Sequence, residues 1–357
     1  MPFAPSRRTV IAGIAAAFAS PPPVRAEGRA VIPLGDMHAH LFFIGPRPAS
    51  RYPIGRNMAS GGATLVAWSV VGDLPWIRSS SGRLRQAAEP KPRAASDWFD
   101  RELARVKAHL AEQKLKIVRS PDDVDRALDG DPHVVLSVEG ASFLDDGMAG
   151  LERAYEAGVR HLQLVHYVRN SIGDFQTEAP QHQGLTSFGR QVVRDCNRLG
   201  ILVDLAHCTS ASVRQALAIS RVPTVWSHSS VVPAGKPDWK MLPWRARQLG
   251  LDDARAIAAA GGVVGLWSLR SDVGGTVQSF GDRMIEMAGW LGDDHVAFGT
   301  DMNAIANAPI SDYARLRSAL DHMADRGVDE TRLRKVAIGN YARVLKAAMS
   351  ARRLGGG

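Results

Sequence analysis

The feature that most constrains this 357-residue chain is an alternation of short β-rich runs with stretches of helical amphipathic spacing. Eight runs read as strands, at residues 31–37, 63–70, 133–138, 161–165, 201–206, 224–227, 262–267 and 295–300. Between them lie segments with helical periodicity at 97–113, 121–128, 150–157, 188–199, 210–219, 252–260 and 284–290; in 252–260, for example, Ala254, Ile257 and Ala258 share one face. Strand and helix in alternation predict a parallel sheet covered by helices. Eight such units predict one α/β domain, a (β/α)8 barrel with loop insertions. The competing open doubly wound sheet lacks its signature, since no Gly-x-Gly-x-x-Gly follows the first strand. Residues 78–95, rich in Arg, Ser and Pro, are expected to form an exposed loop or a break between helices.

The amino terminus reads differently. Arg7-Arg8 precedes an apolar run at 11–18 and then Pro21-Pro22-Pro23-Val24-Arg25-Ala26, the order of an export signal. Residues 1–26 are therefore expected to be a twin-arginine-type signal peptide, with Glu27 opening the mature chain. Residues 27–350 form the single catalytic domain in this reading, and 351–357 a flexible tail. The expected location is the bacterial periplasm. The apolar run is too short to span a bilayer permanently, so no stable membrane span is expected in the mature form. Loss of 1–26 removes three arginines and no acids, lowering the formal charge from +8 to +5. No dense Lys/Arg cluster interleaved with aromatics occurs, which excludes nucleic acid as a partner. The two cysteines, Cys196 and Cys208, are too few for a disulfide framework, and Cys208 is a poor metal candidate because it points away from the face of its neighbour His207.

Residues with ligand chemistry sit where the strands end: Asp36, His38 and His40 at the first, Glu139 at the third, His166 at the fourth, His207 at the fifth, His228 at the sixth and Asp301 at the eighth. Barrel enzymes build their sites on that face. Strand alternation places Asp36, His38 and His40 on one side, so both imidazoles can reach one cation; the alternative is a hydrogen-bonded histidine pair. Five candidate ligands, His38, His40, Glu139, His207 and His228, exceed what one catalytic zinc takes from protein, which implies two ions. Glu139, with two oxygens, suits the shared position, and a bridging hydroxide would be the nucleophile. Asp301 is then the proton carrier and His166 the donor to the tetrahedral oxyanion, with a loop cap and a wall residue as their respective alternatives. His109, His133, His161, His295 and His322 are expected to be structural or solvent-facing.

These residues resemble the membrane (renal) dipeptidase family of zinc metallopeptidases, which share an amidohydrolase-like barrel. The likeness runs from about residue 32 to 345. It is densest in Gly184-Leu185-Thr186-Ser187-Phe188-Gly189, in Asn197 to His207, in Ser227-His228-Ser229-Ser230 and in Gly339-Asn340-Tyr341, with weaker matches at Gly61-Gly62, Val138-Glu139-Gly140 and Gly158-Val159-Arg160. The resemblance implies two Zn2+, with Mn2+ or Co2+ as substitutes. Glu139 bridges them, His207 and His228 hold one ion, and the strand 1 pair holds the other. It implies that Asp301 shuttles the proton, that His166 meets the substrate carbonyl, and that Arg247 binds the dipeptide carboxylate, with Arg245 as its competitor. One departure stands out: the family carries His-x-Asp where this chain has His38-Ala39-His40, which exchanges an anionic ligand for a neutral imidazole. A second is the loop 231–245, longer than the family's and carrying Lys236, Trp239, Lys240, Trp244 and Arg245. Residues 170–183 are expected over the mouth, with Asp174 or His182 lining the pocket.

The function expected is zinc-dependent hydrolysis of a small dipeptide or N-acyl amino acid. Hydrolysis of a lactone, phosphoester or ring amide on the same barrel is the alternative, and a non-catalytic metal-containing binding protein is a third. The partner is a small dipeptide-like molecule, and a homodimer is compatible with the sequence.

Overall fold

The computed structural model describes residues 31–40, 52–80, 82–235 and 237–354. The described residues from Ile32 on form one compact unit, which carries the strands, the helices and every candidate site residue. The expected signal peptide at 1–26 and Lys236 lie outside the described residues. No helix among the described residues is long and apolar enough to cross a membrane.

All eight expected strands form: β1 Leu34–Ala39, β2 Ala63–Val71, β3 His133–Glu139, β4 Val159–Gln163, β5 Leu202–Asp204, β6 Val225–Ser229, β7 Val263–Leu266 and β8 Val296–Phe298. They pair in chain order, each parallel to the next. Every residue of β2 is buried, as are all those of β3 and β6, because a parallel strand inside a barrel has protein on both faces. The ring nearly closes beyond β8, where Ala39 bridges Met302 in parallel and Asp301 N donates to His38 O at 3.0 Å. The architecture is the (β/α)8 barrel.

The expected helices appear as Ala94–Glu112, Pro121–Leu128, Ala149–Ala157, Ser187–Leu199, Ser210–Ile219, Leu251–Ala259 and Val277–Leu291. The structure adds Ile54–Gly61, Tyr313–Asp325 and a terminal helix Asn340–Leu354, which enters the stretch read as a tail. It corrects the reading of 78–95: Ile77–Ser80 and Arg83–Gln86 form an antiparallel hairpin, tied to the later loop by Arg83 donating to the carbonyl of Trp239 at 3.2 Å. Cys196 and Cys208 are free and buried, and burial pushes both thiols up.

One apolar cluster fills the space between sheet and helices. A second lies inside the barrel, where Met37, Leu65, Val135, Leu202 and Val263 meet Ile338, Tyr341 and Leu345 of the carboxy-terminal segment. That plug closes the amino-terminal floor, so the opposite end of the strands is left for chemistry.

Two glycines hold the interior to its width. A Cβ on Gly265 would stand 1.8 Å from the carbonyl oxygen of Ser227, and one on Gly299 would stand 1.7 Å from it. Gly265→Ala is therefore expected to destabilise the fold by about 3 kcal/mol, since the obstacle is backbone. A melting curve of the variant against the parent checks this.

Candidate metal centre

The polar residues reach the barrel mouth by different routes. Glu139 is the last residue of β3 and His228 lies within β6, so strand pairing aims both inward. His207 and Asp301 lie three residues beyond the ends of β5 and β8, at φ 68° and φ 55°. Two non-glycine residues in the left-handed region of one site mark local strain held by the surrounding fold.

The ligand atoms converge in two triads, His38/His40/Glu139 and Glu139/His207/His228, each with its donor atoms within 4.8 Å of one another. In the first, the two Nε2 atoms are 3.0 Å apart, with His38 Nε2 at 3.5 Å from Glu139 Oε1 and His40 Nε2 at 3.4 Å from Oε2. In the second, the Nε2 atoms of His207 and His228 are 3.2 Å apart and lie 3.3 and 3.5 Å from Oε1. A tetrahedral ion with bonds of about 2.0–2.1 Å has ligand atoms separated by about 3.3–3.4 Å. The residues fit such an ion in each triad.

The imidazoles are oriented from behind. His40 Nδ1 donates to Ser69 O at 3.2 Å, which leaves its Nε2 lone pair for a cation. Ser227 Oγ lies 2.9 Å from His228 Nδ1, and Ser69 Oγ 3.3 Å from His38 Nδ1. Burial pushes His207 and His228 well below the ordinary histidine value, with Arg247 adding to the effect at His207 and His38 at His228. Both are thereby kept neutral, the state a ligand needs. Burial alone would raise Glu139, but His166, His38 and His207 hold its carboxyl well below the usual range.

Around the triads stands a cavity of about 390 Å³, into which His166, Arg247 and Asp301 project and whose outer wall includes Leu84, Trp244 and Trp267. Asp301 Oδ1 lies 3.2 Å from His40 Nε2. His166 Nε2 lies 3.5 Å from Glu139 Oε1, while its Nδ1 meets Asp73 Oδ1 at 2.7 Å. Burial opposes the charged ring, yet Asp73 and Glu139 raise His166 above the ordinary value. Arg247 is buried, donates to Gln176 Oε1, and has NH2 at 3.1 Å from His228 Nε2. Its Nε has no partner among the described residues. Arg245 instead lies exposed, its guanidinium 5.0 Å from the Trp244 ring centre.

Two further expectations need correction. Asp174 does not line this cavity; its carboxylate accepts from the amides of Gln181, His182 and Gly184 and folds the loop on itself. His182 is exposed. Asp73 and Gln176 are the residues that sequence reasoning missed. Asp73 follows β2 by two residues, so the rule of polar residues at strand ends would have found it; nothing local marks Gln176. Cys208 belongs to neither triad. Among the histidines set aside, His161 is buried inside the barrel, His133 and His295 lie at its floor end, and His109 and His322 lie on outer helices.

A family model described as membrane dipeptidase (Peptidase family M19) matches residues 61–354. The match begins after β1, so His38 and His40 rest on the geometry. The chain is 27% identical over 297 residues to dipeptidase tcpJ of Claviceps purpurea, covering 82% of this chain and 68% of that one. It is also 27% identical over 223 residues to dipeptidase 3 of Mus musculus, covering 59% of this chain and 44% of that one. The chain thus spans less than half the length of the mouse relative. Among solved structures, dipeptidase AC, a metallopeptidase of family M19, aligns with a TM-score of 0.73 at 22% identity, covering 90% of this chain and 99% of that one. A metallopeptidase from Rhodobacter sphaeroides, solved with a phosphinate mimic of L-Ala-D-Ala, aligns with a TM-score of 0.70 at 22% identity over 89% and 100% of the two chains.

Proposed function

Because the chain belongs to the membrane dipeptidase family, we propose that its barrel mouth hydrolyses the amide bond of a small dipeptide. The observation that carries this reading is the convergence of two histidine pairs on one buried carboxylate beside a buried arginine. Two divalent cations, zinc in this proposal, would supply an acidified water and polarisation of the scissile carbonyl. His38, His40 and Glu139 would hold one, and Glu139, His207 and His228 the other.

The remaining roles belong to the chain itself. Asp301, at the rim, takes a proton from the attacking water and returns it to the leaving amine. His166, whose charged form is favoured by Asp73 and Glu139 against burial, donates Nε2–H to the oxygen that becomes negative as the carbonyl is attacked. The unpartnered Nε–H of Arg247, itself buried, is the donor offered to the substrate carboxylate through a charge-assisted bond. The phosphinate dipeptide mimic held by the Rhodobacter sphaeroides relative supports the substrate class. Export through the Arg7-Arg8 leader is part of the same proposal, and amino-terminal sequencing of protein recovered outside the cytoplasm tests it.

The deciding experiment is a rate panel on the protein loaded with zinc or manganese, comparing L,L-, L,D- and D,D-dipeptides with lactones. Dipeptide turnover abolished by a chelator is the expected result; lactone turnover without dipeptide turnover overturns it. Arg247→Ala is expected to lower kcat/KM about 30- to 160-fold, mostly through KM, because a bond to a charged group contributes about 2–3 kcal/mol. A dipeptide amide, which lacks the carboxylate, should lose far less.

A further inference from the structure

Two buried carboxylates beneath the triads take no part in the proposed reaction steps. Asp36 and Asp204 are both fully buried. Asp36 Oδ1 accepts from the amide of His38 on its own strand at 3.2 Å and from the amide of Thr300, beyond β8, at 2.9 Å. Asp204 Oδ1 accepts from the amide of Ala206 at 2.9 Å and from the amide of Ser227, on β6, at 3.0 Å. The arrangement is the same in both places: one oxygen clamps the amide two residues ahead and an amide of the neighbouring strand. The second oxygen of Asp36 is also engaged, by the hydroxyls of Thr300 at 2.6 Å and Tyr313 at 3.2 Å, whereas that of Asp204 lies 3.3 Å from His161 Nε2 without the geometry of a hydrogen bond.

The two clamps fall where the sheet is thinnest. β5 and β6 share one registered pair, Asp204 with Val225, and the ring closes between β8 and β1 on the bridge of Ala39 with Met302. Strands that splay to open a mouth leave amides without a ladder partner, and a buried orphan amide is costly. A carboxylate answers two such amides with charge-assisted bonds, which are shorter and stronger than neutral ones. Each clamp lies directly under one histidine pair: His38 is bound through its own amide, and Ser227 immediately precedes His228 while Ala206 immediately precedes His207.

We propose that Asp36 and Asp204 are separate positioning residues, Asp36 for the ion held by His38 and His40, and Asp204 for the ion held by His207 and His228. Neither touches the ion. Each fixes the backbone from which one imidazole pair projects. The inference rests on the proposed function, in which the triads hold metal ions.

Zinc titration of the apoprotein against a chromophoric chelator tests it, with circular dichroism to confirm the fold. In a His38→Ala background, where His207 and His228 supply the surviving site, Asp204→Ala is expected to weaken zinc binding about 10- to 100-fold and Asp36→Ala by less than about threefold. In a His207→Ala background the two effects should exchange. Loss at both sites from either substitution, or at neither, overturns the proposal. If an alanine variant does not fold, the asparagine variant decides: it keeps an acceptor oxygen without the charge, and about threefold weakening confined to the same site is expected. No change, or equal loss at both sites, overturns it. An unsubstituted protein that binds no zinc would instead refute the reading of the triads themselves.

Discussion

Glu139→Gln is expected to strip the site of metal and to lower kcat/KM at least about a thousandfold. Both histidine pairs lie within 3.3–3.5 Å of its two oxygens, so this one carboxylate belongs to both triads. Glutamine keeps the length of the side chain and one oxygen, but it replaces the anion that the two proposed cations would share with a neutral carbonyl and an amide nitrogen that cannot coordinate. A metal ion contributes several kcal/mol to charge stabilisation in the transition state, and about 4 kcal/mol corresponds to a factor of a thousand. Elemental analysis beside the rate measurement separates the cases. Retention of two ions with an unaltered rate would refute the shared role of Glu139.

Asp301→Asn should act on the rate alone. The side chain keeps its shape at a strained backbone position of φ 55°, and its loss of the proton-carrying oxygen is expected to reduce kcat about 10²- to 10⁴-fold. Metal content should stay at the parental value and KM should move little, because no binding contact to the substrate carboxylate is removed. The proximity of Asp301 Oδ1 to His40 Nε2, 3.2 Å, makes the metal measurement the sharper half of the test. If zinc departs together with activity, Asp301 is a ligand compensating for the neutral His40 and not a proton carrier.

Much of this molecule is legible along the chain because its main determinants are local. A parallel barrel strand is buried on both faces, so β2 and β3 announce themselves as short continuous runs of apolar residues. Each such run ends on the same side of the barrel, and the chemistry-bearing residues His38, His40, Glu139, His166, His207, His228 and Asp301 emerge from reading what stands at or just beyond those ends. The hairpin Ile77–Ser80 with Arg83–Gln86 was illegible for the opposite reason. Its Arg- and Ser-rich strands are half-buried or exposed throughout, so they leave no apolar period to read.

Sequence by itself determined the order of eight strand and helix units and the side chains offered at the barrel mouth, because hydrophobic period and strand alternation are properties of near neighbours. Only the tertiary structure decided where loop residues go. Arg245 and Arg247 stand two positions apart on one short helical turn, and nothing in their spacing tells which is buried; packing against Trp267 and Gln176 carries Arg247 inward, its guanidinium 5.4 Å from the indole ring centre, while Arg245 stays outside. Asp174 likewise met the amides of its own loop before it could reach the cavity. Asp36 reads in sequence only as a strand-end residue on the face of His38 and His40, Asp204 falls inside the fifth expected strand, and the task of both became visible only when Thr300 and Ser227 were brought across from the neighbouring strands. The bond from Thr300 to Asp36 joins residues 264 positions apart and is set by how the barrel closes, which is a property of the whole ring.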